Sequence, residues 1–157
     1  MVSEQRILLV AAEPREFSGL LGLCTGVHKL AWPVQWARSA ESRGRQFWMV
    51  ANGAGAARAA RAVEVAVPEC RPRAVVSMGF CGALDPALKI GDVVVARDGA
   101  IASIDHVATT AAEKASLRAT GAVAVEMEAA GVAERAARYG LPFFCIKSVT
   151  DTAAQNF

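Results

Sequence analysis

The stretch Gly121–Asp151, GAVAVEMEAAGVAERAARYGLPFFCIKSVTD, decides how the chain is read. A short apolar run from Ala122 to Val125 has strand length, and an acidic turn, Glu126-Met127-Glu128, follows it. A helix then extends to about Tyr139, and a second apolar run from Phe143 to Val149 ends at Asp151. This is a strand–helix–strand unit of an α/β fold with carboxylates at the ends of both strands. In open α/β sheets the ligand crevice lies outside the carboxyl ends of the strands, so Glu128 and Asp151 could face one pocket.

Moving outward, Ala74–Met78 reads as a buried strand, with Gly79-Phe80-Cys81-Gly82 at its carboxyl end. Two glycines there permit close approach of backbone to a ligand. A turn-rich link, Leu84 to Asp92, leads into the strand Val93–Ala96. The pattern weakens from Arg97 to Asp105, with a short apolar stretch at Ala100–Ile104. Thr109 or Thr110 then caps a helix over Ala111–Arg118. His106 lies on the expected pocket side. A lone histidine of this kind reads as structural or solvated before it reads as a ligand contact.

At the other end, Arg6–Ala12 is a strand that runs into a helix opening at Glu13-Pro14-Arg15-Glu16, where proline and acidic residues suit the first turn. Glu16 therefore has two readings. It is helix-start electrostatics, or a carboxylate at the end of strand one pointing into the crevice. Leu30–Ala37 and Gln46–Ala51 read as antiparallel strands joined at Gly44, with Pro33 arguing for an edge position in the first. Trp32, Trp36 and Trp48 could wall a flat ligand, although aromatic strand residues belong more often to a core. Asn52-Gly53-Ala54-Gly55 opens an Ala-rich helix from Ala56 to Val67. Its glycines let backbone N–H groups come close to an anion or a neighbouring strand, but because NGAG matches neither G-x-G-x-x-G nor a P-loop, a tight strand-to-helix turn is favoured over phosphate binding.

With 157 residues, 54% of them hydrophobic, the chain is expected to form one domain with a substantial core. A net charge of +2 without runs of like charge implies no nucleic-acid or anionic-membrane partner. Cys24, Cys70, Cys81 and Cys145 are widely spaced with no C-x-x-C pair, which fits a reduced, cytoplasmic protein. The apolar run Ile7–Ala12 is too short for a signal sequence or a spanning helix. No spacing of metal-ligand type occurs, and no cofactor is expected.

Three segments together resemble one family. Val76-Ser77-Met78-Gly79-Phe80-Cys81-Gly82-Ala83-Leu84, followed by Leu88-Lys89-Ile90-Gly91-Asp92-Val93-Val94-Val95, is similar to the glycine turn and K-x-G-D strand of the nucleoside phosphorylase and nucleosidase superfamily. Val125-Glu126-Met127-Glu128-Ala129 resembles its ribose-binding strand end, and Ser148-Val149-Thr150-Asp151 its catalytic strand end. The resemblance implies a single three-layer αβα domain around a central mixed, twisted sheet. It also implies cleavage of the N-glycosidic bond of a purine-type nucleoside, with water or inorganic phosphate as co-substrate, by a homo-oligomer (dimer or hexamer).

By the same resemblance Asp151 is the acid at the leaving base, and Glu128 accepts hydrogen bonds from the ribose 2′- and 3′-hydroxyls. Met127 packs under the sugar, and Glu16 activates the attacking water. Glu126, Phe80, Cys81, Gly82 and Thr150 complete the substrate-binding set. The Asp85-Pro86-Ala87-Leu88 link is similar to the branch associated with hopanoid lipid synthesis, implying an adenosyl-type substrate with a bulky 5′ substituent.

The chain departs from the family pattern in two places. Where the phosphorylases hold phosphate with an arginine and a serine, Ser77 and Phe80 stand here, which removes a bidentate anion ligand and favours water. Arg15, Arg43 or Arg45 could supply charge from elsewhere. The chain is also expected to be shortened between about residues 97 and 110 and at its C-terminus. Phosphorolysis and a non-catalytic nucleoside-binding member are the competing readings.

Overall fold

A computed structural model describes residues 5–96 and 100–157; part of the weakly patterned segment, residues 97–99, lies outside them. The first strand, β1 (Gln5–Ala11), buries Leu8 and Val10 on one face and Leu9 and Ala11 on the other. Burial on both faces explains its unbroken apolar sequence. It runs into a 3-10 turn (Pro14–Phe17) and the short α1 (Ser18–Leu21), with Pro14 in the first turn as its missing N–H allows.

The next region corrects the sequence reading. Leu30–Gln35, expected as strand, is loop, and the strand β3 instead spans Trp36–Ser42, flanked by an exposed β2 (Thr25–Lys29). Pro33 has no N–H to give a ladder, so pairing begins beyond it. The polar run Arg38–Ser42 pairs in antiparallel register with β4 (Arg45–Ala51), Ser42 facing Arg45. Arg43 and Gly44 carry φ of 50° and 74°, the left-handed pair that a two-residue hairpin turn requires. Pairing across this turn overrides the weak strand signal of ARSAES.

α2 (Ala56–Cys70) follows, then β5 (Ala74–Ala83), β6 (Val93–Ala96) and β7 (Ile101–Ser103). α3 (Ala111–Arg118) is capped by Thr110, whose hydroxyl accepts from Glu113 N at 3.1 Å. β8 (Ala124–Glu126), α4 (Ala129–Arg138) and β9 (Phe143–Asp151) complete the order. The glycine segment Gly79–Gly82 lies within β5 rather than beyond its end.

These strands form one mixed nine-stranded sheet in which β5 is the hub. β1 and β9 run parallel to it on opposite edges, and β8 runs antiparallel. β1 leaves β5 after Ser77, and β8 joins only at Gly82, so both use the same edge with a gap between them. The strand–helix–strand unit therefore straddles β5, since β8 and β9 are its neighbours and not each other's. α2 and α4 pack over Leu8, Val10, Val50 and Val75 on one face; Phe17, Leu20 and Leu21 cover Leu9, Met49 and Val76 on the other.

Gly131 lets α4 cross α2 at backbone contact, since a Cβ there would lie 2.0 Å from Ala56 O. Trp32 and Trp48, half-buried, pack against the first core, and half-buried Trp36 stacks on Phe17 at 5.3 Å, so the three tryptophans are engaged by the cores and do not form a ligand wall. The four cysteines are unpaired. Among the described residues no helix is long and apolar enough to cross a membrane.

Candidate active site

The gap on the edge of β5 is where a cavity of about 160 Å³ forms. It lies at the carboxyl ends of the parallel strands, where β1 diverges, which is where α/β sheets hold ligands. All nine residues singled out in the sequence line it: Glu16, Phe80, Cys81, Gly82, Glu126, Met127, Glu128, Thr150 and Asp151. His106, Val107, Ala108 and Val125 join them.

Sheet register brings these residues together. On β9, Lys147 faces Gly79 and Asp151 faces Gly82, with an irregularity in the pairing just before Asp151. On β8, Val125 faces Gly82, which directs the following Glu126–Glu128 back along β5. Glycine at 82 is required by crowding, because a Cβ would meet Asp151 Oδ2 at 2.8 Å.

Glu16 satisfies both of its readings. Its Oε2 accepts from the Glu13 N–H at 2.6 Å, closing the helix-start box, while Oε1 accepts from the Phe80 N–H at 3.0 Å. The Phe80 amide lies in the edge gap of β5, where no strand takes it up. Gly79 makes the approach fit: it has φ +134°, and a Cβ there would lie 2.2 Å from Glu16 Oε1.

The two carboxylates of the acidic turn divide their work. Glu126 Oε2 accepts from the Glu128 and Ala129 N–H groups at 2.7 and 2.8 Å, so it caps the N-terminus of α4. Its other partner is Lys147 Nζ at 3.3 Å, with both side chains 1% exposed. Glu126 Oε1 is buried without a partner among the described residues. Thus Glu126 borders the cavity, but the oxygen that bonds is engaged in holding the turn. Glu128 accepts from the Gly55 N–H at 3.3 Å and lies 3.9 Å from Lys147 Nζ. Burial pushes the Glu128 carboxyl above its usual range, Lys147 opposes that, and Glu126 adds to it. Hydroxyl groups donating to this carboxylate would replace the water that burial has removed from it.

Asp151 Oδ2 accepts from Lys114 Nζ at 2.7 Å. Its Oδ1 lies 3.2 Å from Thr150 Oγ1, which is 3.3 Å from Cys81 O. The single Thr150 proton can serve a carboxylate or, when Asp151 carries its own proton, the carbonyl. Burial pushes the Cys81 thiol up to about 12, so it is a neutral wall and not a nucleophile. His106 bonds Asp105 at 2.7 Å and also Glu113; the Asp105 bond foremost, then Glu113, raises it above its ordinary value.

Two supporting groups escaped the sequence reading, Lys114 and Lys147, whereas Gly55, in the turn whose backbone N–H groups are expected to approach an anion or a strand, donates to the Glu128 carboxylate. Lys147 had a signal, a lysine interrupting the apolar strand FFCIKSV. Of the arginines proposed to bring charge, Arg45 bonds Gln5 at the amino end of the sheet and Arg43 forms the hairpin turn. Arg15 pairs with Glu13 at 2.6 Å and has its guanidinium 5.9 Å from the Phe80 ring. No arginine or lysine lines the cavity among the described residues.

The sequence model of the phosphorylase superfamily matches residues 37–106 and 97–156. No curated protein matches the chain in sequence. Among solved structures, S-adenosylhomocysteine nucleosidase from Streptococcus pyogenes, in complex with 5-methylthiotubericidin, is similar at 22% identity and a TM-score of 0.82, covering 98% of this chain and 86% of that one. The 5′-methylthioadenosine/S-adenosylhomocysteine nucleosidase from Neisseria meningitidis, bound to methylthio-immucillin-A, matches at 22% identity, TM-score 0.86, with 96% and 87% covered. A futalosine hydrolase mutant of Helicobacter pylori matches at 17% identity, TM-score 0.80, with 96% and 87% covered.

Proposed function

Because the chain belongs to the phosphorylase superfamily, we propose that it cleaves the N-glycosidic bond of a purine-type, adenosyl-like nucleoside, with water as the nucleophile. The observation that carries this reading is the convergence of Glu16, Glu128 and Asp151 on one cavity that, among the described residues, no arginine or lysine lines. Breaking the bond leaves positive charge on the sugar and a base that must accept a proton. Asp151 gives that proton to the departing base as the C–N bond breaks. Glu128 accepts from the two ribose hydroxyls, orienting the sugar and favouring its developing charge. Glu16 takes the proton of the water whose oxygen bonds C1′, with Phe80 N–H holding the carboxylate in place.

Met127 packs against the sugar, while Phe80, Cys81, Gly82 and Thr150 enclose the base. Glu126 acts by holding the turn that presents Met127 and Glu128. The adenine-type ligands named in the similar nucleosidase structures support an adenosyl-like substrate, and the resemblance supports a homo-oligomer, which light scattering tests. The decisive experiment incubates the protein with adenosine-type nucleosides, with and without phosphate, and separates the products. Free base with ribose in both conditions is expected. Ribose 1-phosphate as the sole sugar product overturns the choice of water, and ligand binding without any free base supports a binding-only member.

A further inference from the structure

Behind Asp151 lies a charged group that the reaction outlined above does not use. Lys114, on α3, is 1% exposed, and its Nζ donates to Asp151 Oδ2 at 2.7 Å, Thr152 O at 2.9 Å and Gln155 O at 3.0 Å. An ammonium has three N–H donors, and these three oxygens use all of them. The Phe157 ring, 5.2 Å from Nζ, covers the group further. An ion withdrawn from water this completely is held in one geometry, because each donor would be left unsatisfied if it swung away. Only one of the three acceptors is charged, and it is the residue read as the acid.

The mount of this lysine is itself tied down. Thr110 caps α3, Ala111 N donates to Asn156 Oδ1 at 2.7 Å, and Phe157 N donates to Thr109 O at 2.9 Å. The segment after β9 and the start of α3 therefore grip each other, with the Lys114–Asp151 pair between them. We propose that Lys114 is a positioning residue for Asp151. By holding Oδ2 it selects one rotamer of the carboxyl and leaves Oδ1, whose partner is the exposed Thr150 hydroxyl, to meet the base. The inference rests on Asp151 as proton donor to the leaving base, and it adds that a buried cation on another element sets where that proton is delivered.

The test is a double-mutant cycle on the full chain. K114M, K114R and K114Q are made in the wild-type and D151N backgrounds, and each is assayed for adenine release (kcat and KM) and for adenine affinity by calorimetry. In the Asp151 background K114M should lower kcat by about 100-fold, the scale of a misplacement of about 1 Å, with KM moving less than about threefold. Adenine affinity should fall about tenfold, and K114R, which keeps the cation but not the three-donor ammonium geometry, should recover only part of both losses. In the D151N background K114M should change each quantity less than about twofold, since the group it positions no longer acts. Equal losses in the two backgrounds, or an unchanged kcat in K114M, overturn the proposal. If K114M does not fold, K114Q, which can still donate to a backbone carbonyl, takes its place in the cycle. A wild type that releases no base overturns the hydrolytic reading instead, and the adenine-affinity cycle then decides Lys114 by itself. A wild type that binds no adenine overturns both.

Discussion

Replacing Gly79 by alanine tests the placement of Glu16 with the least change of chemistry. The added Cβ would begin 2.2 Å from Glu16 Oε1 and 2.9 Å from its Cδ. Ordinary carbon–oxygen contact requires a further ~1 Å, so the carboxylate must recede by about that distance. A hydrogen bond of 3.0 Å from the Phe80 N–H would then stretch to roughly 4 Å and cease to exist. The obstructed atom is the end of a flexible side chain, so rotation relieves the clash, and the main stability loss is about 1–3 kcal/mol for alanine at a φ of +134°. Activity should suffer more than folding, because a misplacement of about 1 Å at a reacting group costs about 100-fold in rate. Steady-state kcat for adenine release from an adenosine-type nucleoside, paired with thermal melts, separates the two effects. E16Q should lower kcat at least as far, and adding Gly79→Ala to it should do little more. A Gly79→Ala protein with kcat within about threefold of wild type would refute the claim that this glycine places the carboxylate.

Other substitutions probe the remaining walls. Glu126→Ala should destabilise the fold by about 3–5 kcal/mol in denaturant titration, because it strips a buried lysine of its nearest carboxylate and uncaps α4; a mere rise in KM would contradict that role. Burial raises the Glu128 carboxyl, so the folded state binds its proton more tightly than the unfolded chain, and this group's contribution to stability falls as pH rises from about 4.5 through the folded value. E128Q should therefore melt at or above the wild-type temperature at pH 7 while turnover drops by about 100-fold or more, and a lower melting temperature would count against it. His106 is raised by its carboxylate partners, so its stabilising contribution is fully present below pH 6.5 and is lost as pH rises through the folded value. H106Q should flatten the melting temperature against pH in that window, and an unaltered slope would show that the contacts with Asp105 and Glu113 contribute nothing.

Burial decided what could be read in the sequence. β1 and β5 announce themselves because most of their residues are buried and apolar in succession, and β9 because it is apolar in succession although Phe144 and Ile146 on one of its faces are exposed. β3 does not, because ARSAES owes its conformation to pairing across the Arg43–Gly44 turn and not to its own residues. The site carboxylates were legible for a different reason: strand-end acidic residues beside glycines are uncommon enough to stand out, and every residue named on that ground borders the cavity. What supports them was not legible. Lys114 sits among the alanines of a short polar helix and reads as a solvated side chain, and only the fold shows that it is enclosed. In sequence Glu126 groups with the substrate-binding residues, because nothing in VEME separates its first glutamate from its second. The distinction arises from the start of α4, whose free N–H groups claim Glu126 and leave Glu128 to the cavity.

The gap on the edge of β5 has a consequence for measurement. The Phe80 amide, protected by a side-chain carboxylate in place of a neighbouring strand, is an exchangeable proton whose protection depends on a single residue of the site. Whatever draws Glu16 away, whether a bound water or a sugar, frees that amide to exchange with solvent. The exchange rate of one backbone amide thus reports the position of the candidate base, readable without any substrate being consumed.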